Sequence, residues 1–422
     1  MRKILIIGIV VLFCSLCLAP LTTALSLPPP QSISMNFEQA VFRRMSIREY
    51  TNETITDSEL STILYNAMGQ RPDGTRTVPG HNGTFSTVLY VLTPDAAYTY
   101  APANHSLVMY KPGDWRKVVG YQYPNATLVL GLCYNTTQAN SDEAGLEIGQ
   151  VCQNIAFTLN ALDLGGVVTG GLPPAIDRMG IPSGQLGLIV LPIGHPLHPY
   201  DFKDRPMWIS HMTRPTQHDM NLTAVLLQRT ETTNLTGSLT QDTVDLLVWS
   251  AYGFSPYFDR SDQDLNAIQR HRTVPSAHAY YPLIIYAATP DGVYRYQPNL
   301  LKSIGRPADM IGLPILTYLR TITDGDHESE LAAASDQPAI ATSPLTLITV
   351  LDSSKTDDTG SNYTQFWFLE AGAAAHTAML QATALGLQTL PATPIDTAAI
   401  QSLLKTTPQQ TPVAILGITG NH

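Results

Sequence analysis

Residues 76–102 (RTVPGHNGTFSTVLYVLTPDAAYTYAP) and residues 272–298 (RTVPSAHAYYPLIIYAATPDGVYRYQP) are closely similar stretches of this chain. Aligned without a gap, at an offset of 196 residues, the two 27-residue windows share 11 identities. Self-similarity at so long a period indicates two copies of a whole domain, because arrays of small repeats have much shorter periods. The stretch therefore predicts a tandem duplication.

The similarity continues on both sides of this stretch. Three further pairs of segments match in the same order: 37–69 with 222–253, 146–162 with 369–385, and 186–193 with 412–418. The chain has 422 residues and is 44% apolar, which is enough for two domains with a sizeable core each. Both copies are therefore predicted to be complete domains.

Local patterns predict the α+β class for each copy. Thr56 and Glu59 have the spacing of a capping box and predict a helix that begins after Thr56. Apolar residues at three- to four-residue spacing predict a long helix over 148–162, and 371–384 is its Ala-rich counterpart. Apolar, β-branched runs predict six strands: 86–92, 127–133, 187–193, 283–288, 345–351 and 413–418.

Residues 1–24 have the pattern of an export signal. Arg2 and Lys3 precede an apolar run over 4–19, Pro20 ends the run, and residues 22–24 form a small-residue cleavage site. The run is near the lower limit for spanning a bilayer, so a cleaved signal fits better than a retained anchor, which stays the alternative. The protein is therefore expected outside the cytoplasm, secreted or anchored by this segment.

Glycosylation sequons also indicate export. Eight Asn-X-Ser/Thr sequences occur, at Asn52, Asn82, Asn104, Asn125, Asn135, Asn221, Asn234 and Asn362. Two cysteines, Cys133 and Cys152, follow the predicted signal. They allow one disulfide, but both lie in apolar segments, which is equally consistent with two buried thiols.

Composition and motifs argue against several function classes. The formal net charge is −10 and no basic run is present, which argues against a nucleic-acid partner. Cys14 and Cys17 have Cys-x-x-Cys spacing but lie in the predicted signal; the rest of the chain has no Gly-x-Ser-x-Gly, P-loop or Cys-x-x-Cys motif. His195 and His198 have no further metal-ligating residues nearby in the sequence, so a loop is predicted there rather than a metal site.

From residues 44–50 (RMSIREY) onward the sequence resembles the FMN-dependent nitroreductase family. The family's opening helix, Arg-x-Ser-x-Arg segment, Arg-Thr-x-Pro-Ser stretch (with Gly80 in place of the serine in the first copy), Glu-x-Gly-x-x-x-Gln-Asn helix and Gly-Gly turn occur in order, before residues 191–196 (LPIGHP). The spacing from Pro275 to Tyr294 and Tyr296 resembles most closely the subgroup that includes azoline-oxidising dehydrogenases. The resemblance covers most of 36–212 and, more loosely, 222–422.

The resemblance implies FMN as the cofactor and a set of basic residues that bind it. In the manner of the family, Arg44, Ser46 and Arg48 would bind the phosphate, the ribityl chain and the polar edge of the ring. Lys203 and Arg205 would return to the phosphate from the C-terminal side. The chemistry suits these residue types, because a phosphate dianion requires guanidinium and ammonium donors held in fixed geometry. A solvated charged surface is the alternative.

The resemblance also implies how the flavin ring is held. Gly170 and Gly171 would bring backbone N–H groups to the ring, where a Cβ would obstruct. Family members are dimers with the flavin between subunits, so Pro275, Ser276 and His278 would complete the site from the second copy. One chain would then fold as an intramolecular pseudo-dimer and act as a monomer.

The two copies are not equivalent in this scheme. Domain 1 is predicted over 36–212, a linker over 213–221, and a degenerate domain 2 over 222–422. In the second copy Glu231 and Thr233 replace the serine and second arginine of the motif. An acidic group beside a phosphate is unfavourable. Only one flavin site is therefore expected.

The implied activity is hydride transfer to and from the flavin N5 atom, with an unidentified small-molecule substrate and electron donor using one pocket in turn. No side chain is assigned as acid or base, although His81 and His278 lie near the expected pocket and could supply a proton; a structural role is the alternative. Export separates the protein from cytoplasmic nicotinamide donors, and Pro79, Gly80 and Asp163 depart from the family pattern. The rival hypothesis is therefore a flavin-free binding or cell-surface interaction module.

Overall fold

A computed structural model of the chain describes residues 24–80, 84–170, 175–198, 216–258, 270–297, 318–356 and 364–421. For 254–258, 270, 271 and 318 only the backbone is described. Residues 1–23 of the predicted signal lie outside these ranges, as do His81, Gly171, Lys203 and Arg205.

Within these ranges the backbone forms nine α-helices and fifteen strands. The helices are α1 Phe37–Arg43, α2 Asp57–Met68, α3 Arg116–Val119, α4 Ser141–Ala161, α5 Leu222–Gln228, α6 Gln241–Tyr252, α7 Glu328–Ser335, α8 Thr364–Ala384 and α9 Thr397–Leu404. The strands are β1 Ala24–Ser26, β2 Thr87–Leu92, β3 Ala96–Ala101, β4 Ser106–Pro112, β5 Leu128–Asn135, β6 Gly165–Gly166, β7 Gln185–Gly194, β8 Phe254–Phe258, β9 Arg270–Arg272, β10 Leu283–Thr289, β11 Gly292–Gln297, β12 Tyr318–Asp324, β13 Leu345–Asp352, β14 Thr389–Ala392 and β15 Gln410–Ile418.

The strands form two antiparallel sheets with the same topology. The first has the order β1-β4-β3-β2-β5-β7-β6 and the second β12-β11-β10-β13-β15-β14. Without the edge strand β1, the two orders correspond strand for strand. A separate two-stranded ribbon joins β8 to β9. The α+β class and the duplicated fold predicted from the sequence are confirmed.

The duplication extends to irregularities within the strands. The β3–β4 hairpin shifts register between Ala97 and Tyr98, and the β11–β12 hairpin between Val293 and Tyr294. Both shifts fall at the same point of the repeated stretch, 196 residues apart. Because a bulge fixes strand register and twist locally, its repetition indicates that both copies keep the same sheet geometry.

Helix ends follow the sequence signals. The Thr56 Oγ1 accepts from the Glu59 N–H at 3.2 Å, while the Glu59 carboxylate accepts from the Thr56 N–H at 2.8 Å, so the predicted capping box is present.

Beyond the end of α4, Asp163 has φ +56°, and its counterpart beyond α8, Gly386, has φ +76°. Asp tolerates this left-handed conformation and here pairs with Arg43 at 3.2 Å. Asp163 therefore has the same left-handed backbone conformation as the glycine at the equivalent position of the second repeat.

The long helices α4 and α8 pack against each other at the centre of the molecule. Each carries a glycine at the contact, Gly149 in α4 and Gly372 in α8. A Cβ on Gly149 would overlap the carbonyl oxygen of Leu369, and one on Gly372 would overlap that of Leu146. The contact is thus reciprocal, as in a two-fold symmetric dimer, and only glycine allows the two backbones to approach so closely.

A second shared core joins the repeats near α1. Phe37 of α1 meets Phe157 of α4 edge to face, with ring centroids 5.5 Å apart. The same cluster includes Leu222 of α5 and Leu380 of α8, all fully buried. The two copies therefore share buried apolar surface as an intramolecular pseudo-dimer.

The two cysteines outside the predicted signal are buried free thiols. Cys152 on α4 packs in the core between the helices and the first sheet, whereas Cys133 on β5 belongs to a different apolar cluster. Burial raises the pKa of both thiols. The disulfide alternative is not realised. No helix in the described ranges has both the length and the apolar character needed to span a bilayer.

Candidate active site

A cavity of about 300 Å³ lies between the two repeats. Its lining residues come from both copies: Ser46, Arg48, Tyr123, Val167, Val168, Thr169, Gly170 and Ile189 from the first, and Pro275, Ser276, Ala277, His278, Phe366 and Leu369 from the second. The described part of the lining contains a cation and several hydroxyl groups but no carboxylate. Six residues that the sequence assigned to one site, together with eight others, thus surround one space.

The segment after α1 brings Ser46 and Arg48 to this cavity. Between them, Ile47 is buried and its N–H donates to the Gly166 carbonyl oxygen at 2.9 Å. Gly165 has no Cβ, which leaves room for the Ile47 side chain. Extended backbone alternates side chains between two faces, so burying Ile47 turns Ser46 and Arg48 toward the cavity.

Arg44 has a different place from the one predicted. It is only 2% exposed and is absent from the lining of the cavity. Its Nε donates to the Arg272 carbonyl oxygen at 2.8 Å, and its Nη1 lies 3.5 Å from the Ser46 Oγ. Arg44 therefore lies behind the cavity wall and positions the segment that carries Ser46. The sequence motif assigned Arg44, Ser46 and Arg48 to the same site, but the chain direction at the end of α1 points Arg44 into the protein interior.

Gly170 forms the wall opposite an aromatic ring. A Cβ at this position would overlap the ring of Phe366, which lies in the first turn of α8. In this structure the group that a Cβ would meet is therefore a side chain of the second repeat, whereas the predicted reason for glycine, the flavin ring, stays a prediction. Gly171, Lys203 and Arg205 lie outside the described residues.

The second repeat supplies a strained loop. His278, Ala279 and Tyr281 have φ values of +52°, +56° and +49°, a conformation that costs energy in residues other than glycine. The Ser276 Oγ accepts from the Tyr281 N–H at 2.9 Å and closes the loop. His278 is exposed at the cavity rim.

A buried carboxyl group supports this loop from behind. The Tyr252 hydroxyl donates to Glu370 at 2.5 Å, and the Leu283 N–H donates to the same hydroxyl at 3.3 Å. Burial raises the pKa of Glu370 to about 7, against hydrogen bonds from Ser276 and Tyr252 that lower it. The Arg272 guanidinium lies 4.5 Å from the Tyr252 ring centroid.

The equivalent carboxylate of the first repeat has a different environment. Glu147 accepts from the Ser86 N–H at 3.0 Å and from the Thr87 N–H at 2.8 Å. In the second repeat Pro282 stands in the place of Ser86 and has no N–H to donate. Tyr252 fills that gap, which explains why the two carboxyl groups differ.

Several lining residues were not predicted from the sequence: Tyr123, Val167, Val168, Thr169, Ile189, Ala277, Phe366 and Leu369. Two of them had a sequence signal nearby: Leu369 begins the helix segment 369–385 that matches 146–162, and Ala277 lies between the predicted residues Ser276 and His278. Phe366 carried no signal, because only the packing of α8 against α4 brings it to Gly170.

The two histidines set aside as loop residues lie beside acidic groups. His195 is 3.9 Å from the Glu53 carboxylate, and His198 is 3.5 Å from that of Glu49. Within the described ranges, no three His, Cys, Asp or Glu side chains are arranged to hold a metal ion.

A second cavity, of about 380 Å³, occupies the pseudo-symmetric position. Its lining includes the counterparts of the first: Pro79 and Gly80 for Pro275 and Ser276, and Leu146 for Leu369. Ala392 and Thr393, which stand in the place of Gly170 and Gly171 in the sequence, also line this cavity. Glu143 and Glu147 line this cavity, and the described residues of its lining include no Lys, Arg or His.

Comparison with known proteins gives the same family for both repeats. The family model described as the nitroreductase family matches residues 41–195 and 236–420. A curated nitroreductase-like protein of Methanocaldococcus jannaschii is 28% identical over 197 residues, covering 41% of this chain and 96% of the relative. That relative therefore has about the length of one repeat.

A solved structure that matches nearly the whole chain gives the same result for the fold. A nitroreductase-like protein of Anabaena variabilis has a TM-score of 0.66 at 14% identity, over 92% of this chain and 100% of its own. A Desulfovibrio desulfuricans protein solved in complex with FMN has a TM-score of 0.31 at 18% identity, over 43% of this chain and 97% of its own. Since the family model covers most of the chain, in two regions with one topology, the protein belongs to the nitroreductase family of oxidoreductases and carries the family's fold twice.

Proposed function

We propose that the protein is an exported, FMN-dependent oxidoreductase with one flavin site, in the cavity between its two repeats. The observation that carries the proposal is the meeting of Ser46, Arg48 and Gly170 with the loop from Pro275 to His278 around one space. At about 300 Å³ the described part of the cavity is at the lower end of the range for ligand pockets, roughly 300 to 1,000 Å³.

The described residues fit a flavin at its polar end. Arg48 is exposed to the cavity and offers a guanidinium, and Ser46 offers a hydroxyl beside it. No carboxylate among the described lining residues opposes an anion. We assign Lys203 and Arg205 to the same phosphate, so that three cations would offset its charge.

The described residues also fit a flat ring. Gly170 and Phe366 form a close wall, and Val168, Ile189 and Leu369 provide apolar surface that excludes water. When bound, FMN would supply hydride transfer through its N5 atom. The protein's own part is to bind and orient, with the Ser276 hydroxyl and the exposed His278 at the substrate side of the cavity.

Export is part of the proposal and rests on the N-terminal pattern and the sequons. Four of the sequon asparagines are exposed: Asn52, Asn104, Asn125 and Asn234. Asn135 and Asn221 are half-buried, and Asn221 accepts from the Ala224 N–H at 2.9 Å to cap α5. We propose domain 1 over 36–212, the linker over 213–221 and domain 2 over 222–422, in a protein that acts as a monomer.

The proposal is tested by flavin binding to the intact mature chain. Purified protein should show the flavin absorbance band, or gain it on titration with FMN. Replacing Lys203 and Arg205 together by Ala should weaken FMN binding by at least about tenfold, because each charge-assisted hydrogen bond contributes roughly 1.5 to 3 kcal/mol. Arg320, exposed on β12, is the matched control, and Arg320→Ala should leave FMN affinity unchanged.

The rival function is a flavin-free binding or cell-surface interaction module. One observation favours it: Arg44, the first motif arginine, directs its Nε to a backbone carbonyl oxygen instead of the cavity. Failure to bind FMN at any concentration, with wild-type folding, would support the rival. Equal FMN affinity in the wild type and the double variant would contradict the assignment of Lys203 and Arg205.

A further inference from the structure

Glu370 is a buried carboxyl group directly behind the wall of the first cavity. It lies on α8 and is 1% exposed, and its neighbour in the sequence, Leu369, lines the cavity. The Tyr252 hydroxyl donates to its Oε1 at 2.5 Å, whereas its Oε2 is buried without a close hydrogen-bond partner among the described residues. Because a buried carboxylate oxygen normally accepts a hydrogen bond, this arrangement favours a proton on Oε2.

Ser276 connects this carboxyl group to the cavity. It lines the cavity, and its hydroxyl lowers the pKa of Glu370 by acting as a hydrogen-bond donor to the carboxylate. The Ser276 Oγ also accepts from the Tyr281 N–H at 2.9 Å. A hydroxyl group has one proton to donate and two lone pairs. Ser276 can therefore donate to Glu370 or into the cavity, but not to both at once.

We propose that Glu370 is a positioning residue that sets the direction of the Ser276 hydroxyl. When Glu370 is ionised, the hydroxyl proton points to the carboxylate. When Glu370 is protonated, its Oε2 becomes a donor, the Ser276 Oγ accepts from Glu370 and from Tyr281, and the hydroxyl proton turns into the cavity. The inference rests on the proposed function in one respect: it takes FMN as the molecule that receives this hydrogen bond.

The surroundings of Glu370 place both states within reach at neutral pH. The charged and titratable groups that face it are Tyr252 on α6, Arg272 on β9, Tyr281 in the loop and Lys355 beyond β13. Burial raises the pKa of Glu370 to about 7, against the hydrogen bonds and positive charges that lower it. Burial also raises the pKa of both tyrosines, and arginine and lysine are ordinarily charged at this pH. Glu370 is therefore the group in this set that changes its charge near pH 7.

The pseudo-symmetric position of the first repeat lacks this pair of groups. Gly80 stands in the place of Ser276 and has no hydroxyl. Glu147, in the place of Glu370, accepts from the backbone N–H groups of Ser86 and Thr87 at 3.0 and 2.8 Å. The carboxyl and hydroxyl pair thus occurs at one of two equivalent positions, and it is the one beside the cavity that has the flavin motif.

Infrared difference spectra of the intact chain test the pair without any ligand. Between about pH 5 and pH 9 the wild type should lose the C=O stretch of a protonated carboxyl group near pH 7, and Glu370→Gln should lack this band. Ser276→Ala should raise the pH at which the band is lost, because the ionised carboxylate then has one donor fewer. Ser276→Thr keeps the hydroxyl, and the extended backbone at this position, with φ −131°, suits a β-branched residue, so it should restore the wild-type midpoint. Equal midpoints in the wild type and Ser276→Ala would overturn the proposal.

Glu328→Gln is the matched control for these spectra. Glu328 is also a buried carboxyl group, with a pKa raised to about 8 by burial, and it accepts from the Thr346 hydroxyl at 2.7 Å. It lines neither cavity. Glu328→Gln should remove a separate band and leave the effect of Ser276→Ala unchanged. If that effect disappears in the Glu328→Gln background, the band belongs to Glu328 and the proposal is wrong.

FMN titration shows where the hydroxyl points. Ser276→Ala should weaken FMN binding about fivefold at about pH 5.5, the size of one neutral hydrogen bond, and less than about twofold at about pH 8.5. The FMN phosphate also titrates in this interval, but it does so in every variant, so the affinity ratio isolates Ser276. In Glu370→Gln the amide N–H donates to Ser276 at every pH, so Ser276→Ala should then have the same effect at both pH values.

The outcomes separate this proposal from the proposed function. A Ser276→Ala effect that does not depend on pH in the presence of Glu370, or no effect on FMN affinity at either pH, would overturn the proposal. If the wild type does not bind FMN at all, the proposed function fails, and the infrared midpoints still decide whether Glu370 and Ser276 are coupled.

Discussion

The Nε of Arg44 donates a hydrogen bond to the backbone carbonyl oxygen of Arg272, 2.8 Å away and in the other repeat. Both arginines are buried, at 2% and 8% exposure. The equivalent pair, Arg229 Nη2 to the Arg76 carbonyl oxygen, spans 3.4 Å. The first arginine of the motif thus joins the two repeats, and it does so in both directions.

Alanine variants of Arg44 and Arg48 should therefore have different effects: the first should lower the stability of the protein, and the second should weaken FMN binding. Arg44→Ala should lower the free energy of unfolding by about 2 to 4 kcal/mol, because it leaves a buried carbonyl oxygen without its donor. Arg48→Ala should change it by less than about 0.5 kcal/mol, since Arg48 is exposed, and should weaken FMN binding. Urea denaturation and FMN titration of both variants measure this. Equal loss of stability in the two would contradict the assignment.

The reciprocal glycine contact between α4 and α8 gives a second prediction. Gly149→Ala should destabilise the protein by about 3 kcal/mol or more, because its methyl group would overlap the Leu369 carbonyl oxygen and push the helices apart. Gly184→Ala is the control: no atom lies within 4 Å of its added Cβ, and its φ is not positive. Denaturant midpoints of the two variants compare them. A Gly149→Ala protein as stable as the control would show that the helices do not pack as described.

Much of the fold was predictable because its signals are local. The capping box at Thr56 and the spacing along 148–162 predicted α2 and much of α4. The six predicted strands are present as β2, β5, β7, β10, β13 and β15. These are inner strands, whose apolar runs are long because both faces are buried. The outer hairpin strands β3 and β4 were missed because their residues alternate less clearly and their pairing depends on β2.

In the candidate site, the sequence predicted only residues that belong to a recognisable motif of the family. Ser46, Gly170 and Pro275 reach one cavity as the family resemblance implied. Phe366 and the inward turn of Arg44 follow from how α8 and α1 pack, which no local pattern contains. The place of this chain near the azoline-dehydrogenase subgroup stays a prediction.

Glu370 should make stability depend on pH. Its folded-state pKa is raised from 4.5 to about 7 by burial, so the folded protein holds this proton more tightly than the unfolded chain. The stabilisation is fully present below about pH 4.5 and is lost as the pH rises through about 7. The full change is on the order of 3 kcal/mol. Glu370→Gln keeps an acceptor for Tyr252 and removes this titration.

Urea midpoints measured between about pH 5 and pH 7.5 test this. The wild type should lose stability across the interval more steeply than Glu370→Gln. Some slope should remain in the variant, because burial also raises the pKa of Glu328 to about 8. Identical slopes in the two proteins would show that Glu370 does not titrate in this window.

Export predicts a processed and glycosylated chain. In the native host the mature protein should begin near Leu25, with glycans at the exposed Asn52, Asn104, Asn125 and Asn234. N-terminal sequencing and mass spectrometry of the native protein check both points. An unmodified cytoplasmic protein that begins at Met1 would rule export out.

The flavin content of the intact chain tests the central claim most directly. Only the cavity lined by Ser46 and Arg48 has the basic motif, while its counterpart is lined by Glu143 and Glu147. Released-flavin absorbance and calorimetry should therefore give one FMN per chain, with affinity reduced by Arg48→Ala and unchanged by Glu143→Gln. Two equivalents per chain, or one that is insensitive to Arg48→Ala, would contradict a single flavin site between the repeats.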